Sequence, residues 1–157
     1  MYYATKSKMK SSNNIRAFDH SLPMALLKAR ESVMKTFVPH LRAHDLSPQQ
    51  WRVLRVLNES DGLEMTEISK NCFLLMPSLT RIVQNLSKRG LVLRSVSTKD
   101  RRRSIIILTE RGNKLFQLIA PESEALYLHI TDTFGYGKME LLYELLEELV
   151  QKINDPN

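Results

Sequence analysis

Three features of the sequence predict a mainly α-helical fold carrying one small β-hairpin. Apolar residues recur at helical spacing along most of the chain. Caps and breakers divide that rhythm into six segments. Between residues 91 and 108 it gives way to two short β-branched runs joined by a polar turn.

Residues 1–17 are rich in Ser, Asn and Lys, show no periodicity, and predict a flexible basic arm. A first helix is expected from Asp19 or Ser21 to Arg42, with Leu22, Ala25, Leu26, Ala29, Val33 and Phe37 on one face. Pro39 falls in its last third, where a kink or an early stop is expected. Ser47 followed by Pro48 opens a second helix with Trp51, Leu54 and Leu57 inward. Residues 60–65 read as a turn, and Thr66 as the cap of a short third helix. A fourth begins at Pro77 or Ser78, buries Leu79, Ile82, Val83 and Leu86, and ends on Gly90 as a left-handed cap. "LVLRSV" and "SIIIL" are the strands, and "STKDRRR" is their loop. Thr109 caps a long fifth helix, expected to be interrupted by Pro121. Gly135 and Gly137 mark a break before the last helix, "KMELLYELLEELVQKI". That helix is apolar over more than half its circumference, which calls for partners on more than one side. A second copy of the chain is the simplest one.

The 157 residues suit one compact domain, or one domain with dimerisation arms. No apolar run approaches the roughly 20 residues of a membrane span, so a soluble protein without a membrane partner is expected. The first residues lack the apolar stretch of a secretory signal. Cys72 is the single cysteine, which excludes an intramolecular disulfide and fits a reducing cytoplasm. The net charge is +6, but its distribution says more. Residues 81–114 hold ten basic and two acidic side chains, whereas residues 115–157 hold two basic and eight acidic. A positive field focused on one part of the chain is the footprint expected of a nucleic-acid binder.

Helix, short helix, turn, helix and basic hairpin, in that order, form a winged helix-turn-helix. A helix that enters the major groove must be apolar toward its own domain and polar outward. Here Ser78, Thr80, Arg81, Gln84, Asn85 and Lys88 take the outer side of the fourth helix. Arg reads guanine and Gln or Asn reads adenine, while Ser, Thr and Lys serve phosphates. An ordinary amphipathic surface helix would look the same taken alone. The turn holding Arg101, Arg102 and Arg103 shifts the balance, because an arginine-tipped wing suits a narrow minor groove. Asp100 offers Arg102 an ion pair that would brace this loop.

Residues 76–112, "MPSLTRIVQNLSKRGLVLRSVSTKDRRRSIIILTERG", resemble the recognition helix and wing of MarR-family transcriptional regulators. The shared marks are Leu79–Arg81, Gly90–Val92, the Asp-x-Arg of Asp100–Arg102, and Leu108–Thr109 followed by Gly112. The similarity extends over about residues 19–153. "DHSLPMALLKARE" and "LSPQQWRVLRVL" further resemble the branch controlling homoprotocatechuate (hydroxyphenylacetate) degradation operons. The resemblance implies a homodimeric repressor on a pseudo-palindromic double-stranded operator, released by a small aromatic carboxylate. It implies a helical dimerisation region at residues 18–44 and 115–157, and a DNA-binding domain at 45–114. By position, Ser78, Thr80, Arg81, Gln84 and Asn85 would face bases and phosphates, and Arg101, Arg102 and Arg103 would form the wing. Pro121 and the "FGYGK" break depart from the family pattern and leave the angle of the dimer arms open.

An aromatic carboxylate needs an apolar or aromatic slot and a cationic or hydroxyl donor. Trp51 and Arg55, spaced i, i+4, offer a ring and a carboxylate partner; His20, Ser21 and Met24 stand at the start of the first helix. The plainer alternatives are Trp51 in the core, Arg55 in a surface ion pair and His20 exposed. Cys72 raises a redox sensor, but its apolar neighbours favour an inert thiol. No phosphate loop, nucleophile elbow or metal-ligand cluster points to an enzyme, a cofactor or a metal. His40 and His44 share i, i+4 spacing, in itself a weak metal signal. Three alternatives stand beside the repressor. They are a MarR-type regulator of an indole-acetate-like or hydroxycinnamate-like acid, a ligand-independent architectural DNA-binding protein, and a protein-interaction module built on the last helix.

Overall fold

The computed structural model of the chain describes residues 15–155. Most of the expected basic arm falls on residues 1–14, outside them. The chain divides into two compact units, one ending at Met34 and the other beginning at Lys35. In the first, Phe18–His20 form a single 3-10 turn. Ser21 closes it, donating to the Phe18 carbonyl from its backbone N–H at 3.2 Å and from its hydroxyl at 2.9 Å. Helix α1 (Leu22–Arg42) follows and passes from the first unit into the second. The early stop at Pro39 does not occur. A proline three residues from a helix end removes only one backbone bond, and Pro39 sits on the exposed side of α1, where its ring meets no packed neighbour.

The second unit is built around α2 (Pro48–Asn58), α3 (Met65–Cys72), α4 (Met76–Lys88), strands β1 (Val92–Val96) and β2 (Ser104–Leu108), α5 (Glu110–Phe134) and α6 (Tyr136–Asn154). At the start of α2, Ser47 is the expected cap, and the structure makes it reciprocal with Gln50, each backbone N–H bonding to the other's side chain at 2.9 and 3.1 Å. The cap of α3 is Glu64, not Thr66. Its backbone N–H donates to Glu67 Oε2 at 2.7 Å, so the helix starts one residue before the expected cap, and Thr66 lies exposed within it. Likewise α4 begins at Met76, with Pro77 in its first turn, where a missing N–H is harmless. Its end is as expected. Gly90 has φ +69°, and the Leu91 N–H reaches back to the Leu86 carbonyl at 2.9 Å.

The strands pair antiparallel, Val92 opposite Leu108 and Val96 opposite Ser104. Leu63 adds a short third rung, exchanging backbone bonds with Ile106 at 3.1 and 2.8 Å. Thr109 caps α5, accepting from the Gly112 N–H at 3.0 Å. Contrary to expectation, α5 runs unbroken through the exposed Pro121. The break before α6 is Gly135 alone, at φ +104°; Gly137 is inside α6. Val53, Leu54 and Leu57 of α2 meet Ile68, Leu79, Leu86, Val92, Ile106 and Ile119 in one core. Each such buried side chain contributes about 1.5–3 kcal/mol, so α2 is the post on which α4 and the hairpin are mounted. Among the described residues, no helix is long and apolar enough to cross a membrane.

Candidate nucleic-acid interface and effector region

Leu79, Val83 and Leu86 are buried and hold one side of α4 against the core. That fixes what points outward. Ser78, Thr80, Arg81, Gln84, Asn85 and Lys88 are all exposed, on the face opposite the apolar stripe. Thr80 returns its hydroxyl to the Met76 carbonyl at 2.9 Å. Asn85 Oδ1 accepts from Gln50 Nε2 at 2.8 Å. The amide that caps α2 therefore also sets the orientation of Asn85, which the sequence did not indicate. At the end of α4, the Arg89 guanidinium donates to the carbonyls of Asp45 at 2.7 Å and His44 at 3.3 Å. It ties the helix to the turn before α2.

The hairpin loop carries Arg101, Arg102 and Arg103, all exposed. Asp100 braces it by a route other than the expected ion pair with the Arg102 side chain. Its carboxylate accepts from the Arg102 backbone N–H at 3.0 Å, as a short acidic side chain does in a tight turn. The ion pair at the wing is between Arg103 and Glu64, the cap of α3. The Arg103 hydrogen bond holds the Glu64 carboxyl below the usual glutamate range, and the same bond raises the Arg103 guanidinium. Arg103 thus moors the wing, while Arg101 and Arg102 occupy its tip.

A second cluster lies where α2 meets α5. Trp51 is buried and stacks on Phe116, ring centroids 5.0 Å apart. One turn further along α2, the half-buried Arg55 donates to the Tyr127 hydroxyl at 3.0 Å. Its guanidinium carbon stands 5.8 Å from the centre of that ring. Phe37 packs against Tyr127, the ring centroids 4.5 Å apart. The structure therefore places Trp51 in the core, stacked on Phe116, and sets Arg55 against the Tyr127 phenol. Phe37 is legible in the sequence only as part of the apolar face of the first helix, and Tyr127 is not singled out there, because nothing local ties Arg55 to a partner 72 residues away. His20 is exposed, Ser21 is committed to Phe18, and Met24 is half-buried, all within the first unit.

Cys72 is buried, its thiol 3.6 Å from the Arg52 carbonyl. Burial pushes the thiol up from its ordinary value, with only a smaller opposing effect from the Arg52 charge. A thiolate is the reactive form, so this environment suits an inert core cysteine rather than a peroxide sensor.

Residues 44–103, from the turn before α2 to the wing, match the MarR family. The chain is 39% identical, over 86% of its length and 92% of the relative's, to the HTH-type transcriptional regulator FarR of Neisseria gonorrhoeae. The chain belongs to the MarR family. It is a winged helix-turn-helix, DNA-binding transcriptional regulator, and its relatives are regulators rather than enzymes. It is also 38% identical to the homoprotocatechuate degradative operon repressor of Escherichia coli, over 83% of this chain and 88% of that one. Among solved structures, NadR in complex with 4-hydroxyphenylacetate superposes with a TM-score of 0.79 at 36% identity, covering 87% of this chain and all of NadR. The MarR-family fold and the expected branch resemblance are thereby borne out.

Proposed function

We propose that this regulator is a dimeric repressor of an aromatic-acid degradation operon, released from its operator by a small aromatic carboxylate of the hydroxyphenylacetate kind. The observation that carries the reading is Arg55 beside the Tyr127 hydroxyl, with Phe37 against the same ring. A guanidinium and a phenol side by side suit a carboxylate, and the rings suit its aromatic body. The names of the Escherichia coli relative and of the NadR complex point to the same chemical class. Acting on DNA, the protein works in the cytoplasm.

In this reading residues 45–114 grip DNA, and the helical segments 18–44 and 115–157 pair with those of a second copy. Ser78, Thr80, Arg81, Gln84, Asn85 and Lys88 enter a major groove, and Arg101 and Arg102 reach the adjacent minor groove. Two recognition helices about 34–36 Å apart would match one turn of DNA. A ligand gripped by Arg55 and Tyr127 acts on α2, which carries α4, and on α5 at once. To move the protein from mostly bound to mostly free, it must favour the released state by several kcal/mol.

A gel shift on the protein's own upstream DNA tests this. Binding at nanomolar protein should be relieved by 4-hydroxyphenylacetate and far less by its carboxylate-free analogue. Arg55→Ala should keep DNA binding and lose the release. DNA binding that ignores every aromatic acid would replace the repressor with an architectural protein.

A further inference from the structure

Where the end of α1 meets α5, four side chains have no part in the DNA face or the Arg55 cluster. His40 is almost wholly buried, its side chain 4% exposed. Its Nε2 lies 3.0 Å from the Ser123 hydroxyl. Its Nδ1 has Glu122 Oε2 at 3.0 Å, yet has no hydrogen-bond partner. The half-buried His44 completes the group, its ring centroid 5.7 Å from that of His40 and nearly perpendicular to it. One ligand atom from each of His40, His44 and Glu122 falls within 4.8 Å of the other two.

The direction of approach separates a metal site from an ion pair. A ring N–H needs its acceptor nearly in line, and the Glu122 oxygen is near enough but out of line. Two donors on one zinc-like ion sit about 2.0–2.2 Å from the metal, and hence roughly 3–3.5 Å from each other. An oxygen bound to the same ion must then lie well off the axis of the nitrogen lone pair. The contact is at a suitable distance for such a shared ion and at a poor angle for a hydrogen bond. The Ser123 hydroxyl accepts from Nε2–H in the tautomer that leaves Nδ1 as a bare lone pair, the support a metal-binding imidazole requires. A relay of the Glu–His–Ser type would use the same atoms. However, Ser123 is itself buried inside a helix, where the backbone N–H groups needed for an oxyanion are already paired.

We propose that His40 Nδ1, His44 and Glu122 bind one divalent transition-metal ion of the zinc class, with the fourth position left to water. The ion would fasten the turn after α1 to α5. That turn is the one whose His44 and Asp45 carbonyls hold Arg89, so its occupancy would be felt at the end of α4. The site is independent of the effector reading, since it uses neither Arg55 nor Tyr127.

Zinc alone is the probe, titrated into tag-free full-length protein against a competing chromophoric chelator. The expected result is one ion per chain, with protection of the Ala43–Leu46 amides from hydrogen exchange. His44→Gln and Glu122→Gln, neither deep in the core, should each weaken binding tenfold or more, while His129→Gln leaves it unchanged. Ser123→Ala removes only a support for the ligand and should weaken binding roughly 10-fold or more. Failure to take up one equivalent would overturn the proposal. So would uptake that survives unchanged in both His44→Gln and Glu122→Gln.

Discussion

At the scale of single residues, two glycines make opposite predictions from the same substitution. A Cβ added to Gly112 would stand 2.1 Å from the Leu91 carbonyl oxygen, a backbone atom that cannot turn aside. Leu91 is held by the end of α4, and its carbonyl also accepts the Thr109 N–H at 3.1 Å. Gly112→Ala must therefore push α5 away from the junction of α4 and β1, at a cost of about 3 kcal/mol or more. At Gly137, inside α6, nothing lies within 4 Å of an added Cβ. There Ala only improves helix propensity, and Gly137→Ala should stabilise by about 0.5–1 kcal/mol. Urea unfolding of the two variants checks both signs. A Gly112→Ala protein as stable as the parent would mean that α5 does not start against Leu91.

At the scale of elements, the wing shows why some features are legible in a sequence and others are not. Its strands and basic tip follow from local pattern, as do the N-terminal caps of α2 and α5 and the left-handed end of α4, because each is written within a few consecutive residues. The start of α3 is not legible in this way, because Glu is a rarer cap than Thr, and the wing arginine that pairs with it is 39 residues away. Pro121 misled for a different reason: an exposed proline in a 25-residue helix removes one hydrogen bond, which the packing of the rest outweighs. The Glu64–Arg103 pair carries its own pH prediction. Glu64 is held below its ordinary value by the Arg103 hydrogen bond, so the mooring is complete above that value and is lost as pH falls through the lowered one. Glu64→Gln should reproduce the acid state at neutral pH, with faster hydrogen exchange at Arg103 and Ser104 and little change in global stability. Equal exchange in variant and parent would show that the wing is held by its strand pairing alone.

For the molecule as a whole, the unresolved balance is the apolar surface of α6. None of its residues is buried within the chain, although Leu141, Leu145, Val150 and Ile153 are each more than half exposed. Leu22, Leu26 and Leu27 of α1 are exposed as well. A monomer rarely leaves so much leucine in water. Covering it with a second copy could reach the roughly 800 Å² per partner of a stable interface, and each leucine removed from water adds about 1.5–3 kcal/mol. The dimer also answers a need of the DNA face, because one α4 reads one half-site and a palindrome needs two at fixed spacing. Leu145→Glu places a charge in the middle of the proposed contact. It should yield monomers or aggregate in sedimentation velocity, and DNA affinity should fall with it, while α2, α3 and α4 keep their fold. A parent protein that sediments as a stable monomer at micromolar concentration would remove the dimer, and with it the two-helix geometry on which release by an effector depends.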